Sequence, residues 1–185
     1  VQVNADDNLP RNVEAACDMV REAARAGAEL IGLPENVALM AASEEQRLDN
    51  AKRPAEHPAL KAFAAVAKET GTWLQAGSVA ALRADGTLAN HAFLFDPQGR
   101  TAADYEKIHM FDVDLPDGSR YRESSMFHPG DKAVLAQTPW GLLGMTVCYD
   151  LRFPQLYRDL AQAGATMLTV PSAFTKVTGD AHWEV

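Results

Sequence analysis

A cysteine between an apolar segment and a predicted helix is the strongest sign of covalent chemistry in this sequence. Cys148 follows the run Leu142–Val147 and precedes Tyr149-Asp150-Leu151-Arg152-Phe153-Pro154. A nucleophile at a strand-to-helix turn lies at the end of a sheet, where the next backbone N–H, that of Tyr149, can face a developing oxyanion. The alternative interpretation is a buried core cysteine. Cys17 lies on an apolar helix stripe and is assigned that structural role.

A thiol nucleophile needs a base, and no histidine of the sequence has a compelling position for that role. A carboxylate can serve when burial and a nearby thiol raise its pKa towards neutrality, and Glu35, directly after a buried strand, is suited to this role. Lys107 ends another predicted strand, where an ammonium could stabilise an oxyanion and help to hold a thiolate. Considered alone, Glu35 could instead be a cap and Lys107 a solvated lysine at a strand end.

Helices and strands alternate along most of the chain and must position these residues. The pattern predicts helices at Pro10–Ala26, Pro58–Thr70 and Pro154–Ala163, strands at Leu30–Leu33, Trp73–Val79, Ala133–Thr138, Leu142–Val147 and Thr166–Val170, an antiparallel meander over Ala80–Tyr105 and a long loop over Ile108–Asp131. This order favours a layered α/β domain with mixed sheets. A fully parallel, doubly wound fold is the competitor, and turn signals such as Asp85-Gly86 argue against it.

Composition limits the classes of protein to which the chain can belong. Its 185 residues suit one domain, spanning 1–185, and 17 basic against 25 acidic residues give a net charge of −8. Such a chain is a poor candidate for binding nucleic acid or an anionic membrane. The sequence has no run long enough to cross a bilayer and no spacing typical of a metal site, so we expect neither metal nor cofactor. Two cysteines in unlike contexts indicate reduced thiols and a cytoplasmic location.

Both ends of the sequence suggest that it is part of a longer domain. It begins in a predicted strand, Val1-Gln2-Val3, and stops at Ala181–Val185, where a helix is predicted to start. We therefore expect a domain incomplete at both ends, mainly the C-terminal one. We also expect the 185-residue chain alone to be weakly active or unstable, because missing strands leave a sheet edge uncovered.

Three segments, in order and approximate spacing, resemble the signature blocks of the nitrilase, or carbon–nitrogen hydrolase, superfamily. They are Leu33-Pro34-Glu35-Asn36, Tyr105–Asp112 and Val147–Pro154. A fourth stretch, Pro171–Phe174 with Gly179–Glu184, resembles the amidase branch that includes deaminated-glutathione amidase and ω-amidase. The resemblance covers essentially the whole chain.

The resemblance implies a fold, a set of catalytic residues and an assembly. It implies a four-layer α-β-β-α sandwich that forms homodimers or higher homo-oligomers, and a Glu–Lys–Cys triad of Glu35, Lys107 and Cys148. A second family glutamate corresponds by position to Glu123, whose alternative interpretation is an exposed loop charge. Asp150 and Arg152 are expected to form a structural ion pair beside the nucleophile.

The resemblance implies hydrolysis of a small linear carboxamide by water through a cysteine thioester. The substrate could be that of a deaminated-glutathione amidase, of an ω-amidase, or of an aliphatic amidase or nitrilase. Two hypotheses compete with hydrolysis: an acyltransferase of the same architecture and a non-catalytic scaffold that retains the fold. If the substrate carries a carboxylate, the net charge of −8 opposes its approach, so a local cation must bind it. The sequence offers Arg120, Arg122 and Lys176 for this contact.

Overall fold

The computed structural model describes residues 1–115, 118–174 and 176–182, with the side chains of the last two residues excepted. The helices are α1 (Leu9–Arg25), α2 (Glu44–Asn50), α3 (Pro58–Thr70), α4 (Pro154–Gln162) and α5 (Lys176–His182). The strands are β1 (Leu30–Gly32), β2 (Trp73–Leu82), β3 (Leu88–Phe95), β4 (Thr101–Glu106), β5 (Asp112–Asp114), β6 (Arg120–Arg122), β7 (Val134–Thr138), β8 (Gly141–Met145) and β9 (Ala165–Thr169). Short 3₁₀ helices cover Glu123–Ser125 and Cys148–Arg152.

The strands form two mixed sheets and a separate hairpin. The first sheet has the order β1-β2-β3-β4, in which β1 and β2 are parallel and the other pairs antiparallel. The second has the order β7-β8-β9, with β7 and β8 antiparallel and β8 and β9 parallel. Strands β5 and β6 pair only with each other among the described residues. The predicted mixed sheets and the meander are therefore confirmed, and a fully parallel sheet is excluded.

The two sheets pack face to face, and helices cover their outer faces. Leu94 and Tyr105 of the first sheet share a buried cluster with Leu143 and Met145 of the second. Helices α1 and α3 pack on the other face of the first sheet, where Phe63 is fully buried. Helix α4 packs on β8 and β9. These layers are the four-layer α-β-β-α sandwich, and because β3 is covered on both faces, all its residues are buried.

Local signals explain why the predicted helices begin and end where they do. The Asn8 side chain accepts a hydrogen bond from the Arg11 N–H, 3.1 Å away, at the start of α1. Helix α3 covers the predicted range, Pro58–Thr70, and ends at Gly71 in the left-handed conformation. None of the described helices is long and apolar enough to cross a membrane.

Three parts of the structure differ from the sequence-based prediction. Helix α2 is absent from that prediction, because Leu48 is its only apolar residue and no apolar stripe marks it. The predicted loop Ile108–Asp131 contains the β5–β6 hairpin and a 3₁₀ helix. At the C-terminal end, α5 begins at Lys176, before the predicted start at Ala181, and Trp183–Val185 lie outside the described residues.

Candidate active site

Glu35 is held by an irregularity in the neighbouring strand β2. The pairing of β2 with β3 shifts between Gln75 and Ser78, and Gly77 between them has φ +61°. A Cβ atom at Gly77 would lie 1.8 Å from the carbonyl oxygen of Pro34, so only glycine allows this close approach. The chain then turns through Asn36 in the left-handed region, φ 52°. The turn leaves the Glu35 side chain buried beside Lys107 rather than in a surface cap.

Lys107 directly follows β4 and extends into the protein interior. Its backbone N–H donates to the carbonyl of Asn90 at 2.9 Å, and its carbonyl accepts from the N–H of Gly130 at 2.8 Å. The side chain is 1% exposed, and Nζ lies 3.0 Å from Glu35 Oε1 and 2.8 Å from Glu123 Oε2. The interpretation of Lys107 as a solvated lysine is therefore wrong.

Cys148 lies at the predicted turn between strand and helix. It is the first residue of a 3₁₀ helix, three residues after the end of β8, and its φ of 46° places it in the left-handed region. Such a conformation is strained for a non-glycine residue, and strained residues cluster at functional sites. The Cys148 N–H donates to the carbonyl of Pro171 at 3.0 Å, which fixes the turn against the segment after β9.

The electrostatic environment of Cys148 favours the neutral thiol. Burial and the nearby Glu35 carboxylate raise its pKa to about 12, although the Lys107 ammonium opposes this shift. The thiol is also hydrogen-bonded to Glu35. Lys107 favours the thiolate, as expected, but burial and Glu35 outweigh its effect on the pKa of Cys148. Burial on its own lowers the pKa of Lys107, but the carboxylates of Glu35 and Glu123 reverse the shift and keep Lys107 cationic.

Glu123 and Asn90 complete the buried cluster around Lys107. Asn90 Nδ2 donates to Glu35 Oε1 at 2.8 Å and to Glu123 Oε1 at 3.0 Å, so one amide bridges two carboxylates. The N–H of Phe111 donates to Glu123 Oε2 at 2.7 Å. The position of Glu123 agrees with the expected second glutamate, whereas Asn90 is absent from the predicted site residues. The available signal was a pair of polar residues, Asn90 and His91, in a strand that is otherwise apolar, Leu88–Phe95.

Asp150 pairs with a residue other than the predicted one. It is fully buried, and its carboxylate accepts from the Tyr105 hydroxyl at 2.8 Å, the Val147 N–H at 2.8 Å and His109 Nδ1 at 2.7 Å. Among the described side-chain contacts of Asp150, His109 takes the place expected for Arg152. Asp150 therefore links β4 and the loop after it to the residue that precedes Cys148.

A cavity of about 600 Å³ opens onto the cluster. The residues that line it include Glu35, Lys107, Glu123, Cys148 and Tyr149 with Met40, Arg47, Phe111, Tyr121, Arg122, Met126, Phe127, Leu151, Arg152, Val170, Ser172, Ala173, Phe174 and Thr178. The wall is largely apolar, and the ionisable groups lie together, as in many small-molecule sites. Among the described residues, no group of three or more His, Cys, Asp or Glu is placed to hold a metal ion.

The three cations predicted to bind substrate have different positions. Arg122 lines the cavity, but its guanidinium donates to Asp114 at 2.7 Å and to the carbonyl of Val113 at 3.0 Å. Arg120 lies near Asp114 at 3.4 Å, and Lys176 contacts Asp180 at 2.6 Å. The structure does not place Arg120 or Lys176 among the residues that line the cavity.

The chain shares its sandwich fold with solved proteins of the nitrilase superfamily. The chain superposes on the crystal structure of the Caenorhabditis elegans NitFhit protein with a TM-score of 0.89 and 31% identity, over 99% of this chain and 45% of that one. The carbon–nitrogen hydrolase family model matches residues 1–185, and the chain belongs to that family.

Curated relatives in the family carry amidase names. A deaminated glutathione amidase of Yersinia enterocolitica is 42% identical over all of this chain and 65% of its own length. The human omega-amidase NIT2 is 38% identical over all of this chain and 66% of its own length. The chain thus spans about two thirds of the length of these two relatives.

Proposed function

We propose that this protein hydrolyses the C–N bond of a small carboxamide through a thioester on Cys148. The observation that carries the proposal is the contact of Lys107 with Glu35 and Glu123, at 2.8 to 3.1 Å, beside a thiol that faces the same cavity. A nucleophile, a base and a cation meet in one buried place, as acyl transfer requires.

The first half of the reaction forms the acyl-enzyme. Glu35 accepts the proton of the Cys148 thiol as sulfur attacks the carboxamide carbon, because a thiol with so high a pKa does not ionise beforehand. The oxyanion is stabilised by the Lys107 ammonium and the backbone N–H of Tyr149. Protonated Glu35 then gives its proton to the leaving nitrogen. Ammonia departs and the thioester remains.

The second half releases the product. Glu35, again a carboxylate, removes a proton from water as the water oxygen attacks the thioester carbon. The C–S bond then breaks, Glu35 returns that proton to the sulfur, and the carboxylic acid leaves. Glu123 touches no reacting atom in this scheme. It holds Lys107 through two contacts, at 2.8 and 3.1 Å, and so fixes the ammonium between the two carboxylates.

The proposed substrate is a linear amide that also carries a carboxylate. The curated relatives named deaminated glutathione amidase and omega-amidase support this class. An aliphatic amidase or nitrilase activity is the alternative within the family, and a non-catalytic scaffold is the alternative outside it. We further propose a reducing, cytoplasmic location, because Cys17 and Cys148 are free thiols, and a homo-oligomeric assembly.

The test combines ammonia release with intact-protein mass spectrometry. With glutaramate as substrate, we expect the wild type to release ammonia and to carry a transient acyl adduct on Cys148. Cys148→Ala should show neither, whereas Cys17→Ala should retain both because Cys17 lies in the core between helices. Glu35→Gln should lose about a hundred- to ten-thousandfold in kcat, the usual contribution of a general base. Full turnover by Cys148→Ala would exclude the mechanism.

A further inference from the structure

The cavity beside Cys148 contains a guanidinium for which the proposed chemistry has no role. Arg47 lies near the end of α2, half-buried, and lines the cavity. Its Nη1 atom lies 3.0 Å from the sulfur of Met126, and the guanidinium carbon lies 5.6 Å from the centre of the Phe127 ring. Within the described part of the chain, no carboxylate forms an ion pair with Arg47.

The surroundings of Arg47 favour binding of an anion. Burial lowers its pKa, and the more distant carboxylates of Glu123 and Glu44 only partly oppose this effect. Binding of a carboxylate to a desolvated cation that has no acidic partner releases more free energy than binding to a solvated cation. Phe127 and Met126 pack against the guanidinium and limit its freedom, so less entropy is lost when an anion binds.

Three other cations line the cavity, Arg122, Arg152 and Lys107, and each of them already has a partner within the protein. Arg122 is already paired with Asp114 and with two backbone carbonyls, so a substrate would have to displace these bonds. Lys107 is shared between Glu35 and Glu123 beside the thiol, where the amide carbon must lie. Arg47 instead lies on α2 and lines the cavity next to the apolar side chains of Met126 and Phe127.

We propose that Arg47 binds the carboxylate of the substrate, at the end of the acyl chain remote from the amide, and so selects carboxylate-bearing over neutral amides. This inference rests on the proposed function for its substrate class. The net charge of −8 opposes the approach of an anionic substrate, and a local cation such as Arg47 offsets this repulsion.

The test compares two amides of similar size, glutaramate and the neutral pentanamide, on the wild type and on Arg47→Met. Methionine keeps the packing on Phe127 and removes the charge. For glutaramate we expect kcat/KM to fall about ten- to a hundredfold, mainly through KM, as for loss of a charge-assisted hydrogen bond. Pentanamide should change by less than about twofold. Arg47→Lys should recover part of the loss, because an ammonium keeps the charge without the planar fork.

The matched control is Arg158→Met, which removes the same charge from an exposed position on α4 outside the cavity. Its kcat/KM values for glutaramate and for pentanamide should equal those of the wild type. Equal losses for both amides in Arg47→Met would overturn the inference while leaving the proposed function intact.

A binding measurement separates the inference from the hydrolase activity. Glutarate has two carboxylates and no amide, and calorimetry should detect its binding to the wild type but not, or at least tenfold more weakly, to Arg47→Met. If the wild type hydrolyses neither amide but this difference holds, the anion site stands and the proposed function fails. Equal glutarate binding by the two proteins overturns the inference.

Discussion

At the scale of single residues, the protonation state of Cys148 determines how the site must work. A pKa of about 12 means that the thiolate fraction is very small at neutral pH, so attack on an amide requires a base in contact with the thiol. Glu35 meets this requirement because it is hydrogen-bonded to the thiol and buried with it. Cys148 with Glu35 therefore differs from cysteine sites in which a neighbouring cation keeps the resting cysteine ionised as a thiolate.

This difference predicts the pH dependence of alkylation. In a Cys17→Ser variant, the rate of iodoacetamide modification of Cys148 should rise about tenfold per pH unit from about pH 7 to about pH 10, because only the thiolate reacts. It should reach no plateau in that range, since the folded-state pKa is about 12. Mass spectrometry at timed intervals gives the rate. Removing the adjacent carboxylate in Glu35→Gln should move the profile to lower pH, and a plateau near pH 9 in the parent would contradict the raised pKa.

The Asn90 amide lies between two carboxylates, Glu35 and Glu123, and donates a hydrogen bond to each of them. Replacement by aspartate would bring a third carboxylate within about 3 Å of Glu35 and Glu123, as judged from the present contacts. The pKa of the introduced carboxyl should be higher in the folded than in the unfolded protein. Ionisation of this carboxyl as pH rises should therefore lower the free energy of unfolding. We expect Asn90→Asp to lose about 3 kcal/mol more stability at pH 8 than at pH 5, the cost of an uncompensated buried charge.

Urea unfolding at the two pH values measures this difference. Asn90→Leu serves as the control because it removes the same hydrogen bonds without adding a charge, and its loss of stability should differ much less between pH 5 and pH 8. Equal pH dependence in the two variants would mean that the space around Asn90 is accessible to water.

At the scale of elements, close contact between β2 and the segment before Glu35 depends on one glycine. Gly77 and Gly71 have nearly equal φ values, 61° and 66°, but only Gly77 has a backbone atom where a Cβ would lie. Gly71→Ala should therefore cost about 1 to 2 kcal/mol through backbone strain and leave kcat unchanged. Gly77→Ala should destabilise the fold by more than that and also reduce kcat, because Pro34 and Glu35 must move. Denaturant unfolding with kinetics on both variants checks this, and equal effects would contradict it.

The parts of the fold that sequence could predict are those with strong local signals. Helices α1 and α3 have N-terminal prolines, apolar stripes and glycines after their ends. Helix α2 has only a polar cap, in which Ser43 accepts from the Gln46 N–H, and its exposed surface gives no periodicity. Because α2 was missed, Arg47 was missed with it. Of the three predicted cations, Arg120 and Arg122 lie in the long loop, where polar residues mainly pair with one another across the β5–β6 hairpin, and Lys176 pairs with Asp180 on α5.

The catalytic candidates were easier to identify than their partners. Glu35, Lys107 and Cys148 follow apolar or extended segments where a charge or thiol is unexpected, and the structure brings all three to one cavity. The bridge through Asn90 and the pairing of Asp150 with His109 arise from tertiary contacts 33 to 55 and 41 residues apart. Single-sequence patterns contain no information about such contacts.

At the scale of the whole molecule, strand β9 forms an outer strand of the second sheet within the described residues. It pairs with β8 alone there, and Leu168 on it is 45% exposed. Uncovered strand edges with apolar side chains promote association between chains. We therefore expect the 185-residue chain to self-associate, as light scattering coupled to gel filtration would show.

A charge on β9 should weaken this association. Leu168→Lys is expected to shift the chain towards the monomer, whereas Leu48→Lys, at a similarly exposed position on α2, should leave the distribution unchanged. A wild-type chain that stays monomeric at all accessible concentrations would contradict the prediction.

The hydrogen bond from the Ala173 N–H to Glu35 Oε2, 3.1 Å long, connects residues 138 positions apart. Such a contact closes a long loop at a cost in conformational entropy, whereas helices and hairpins form from local contacts within microseconds. During refolding, secondary structure should therefore return before the acylation step does. The delay between the return of secondary structure and the return of acylation then measures how long the two sheets take to dock. Turnover therefore reports on the last stage of folding.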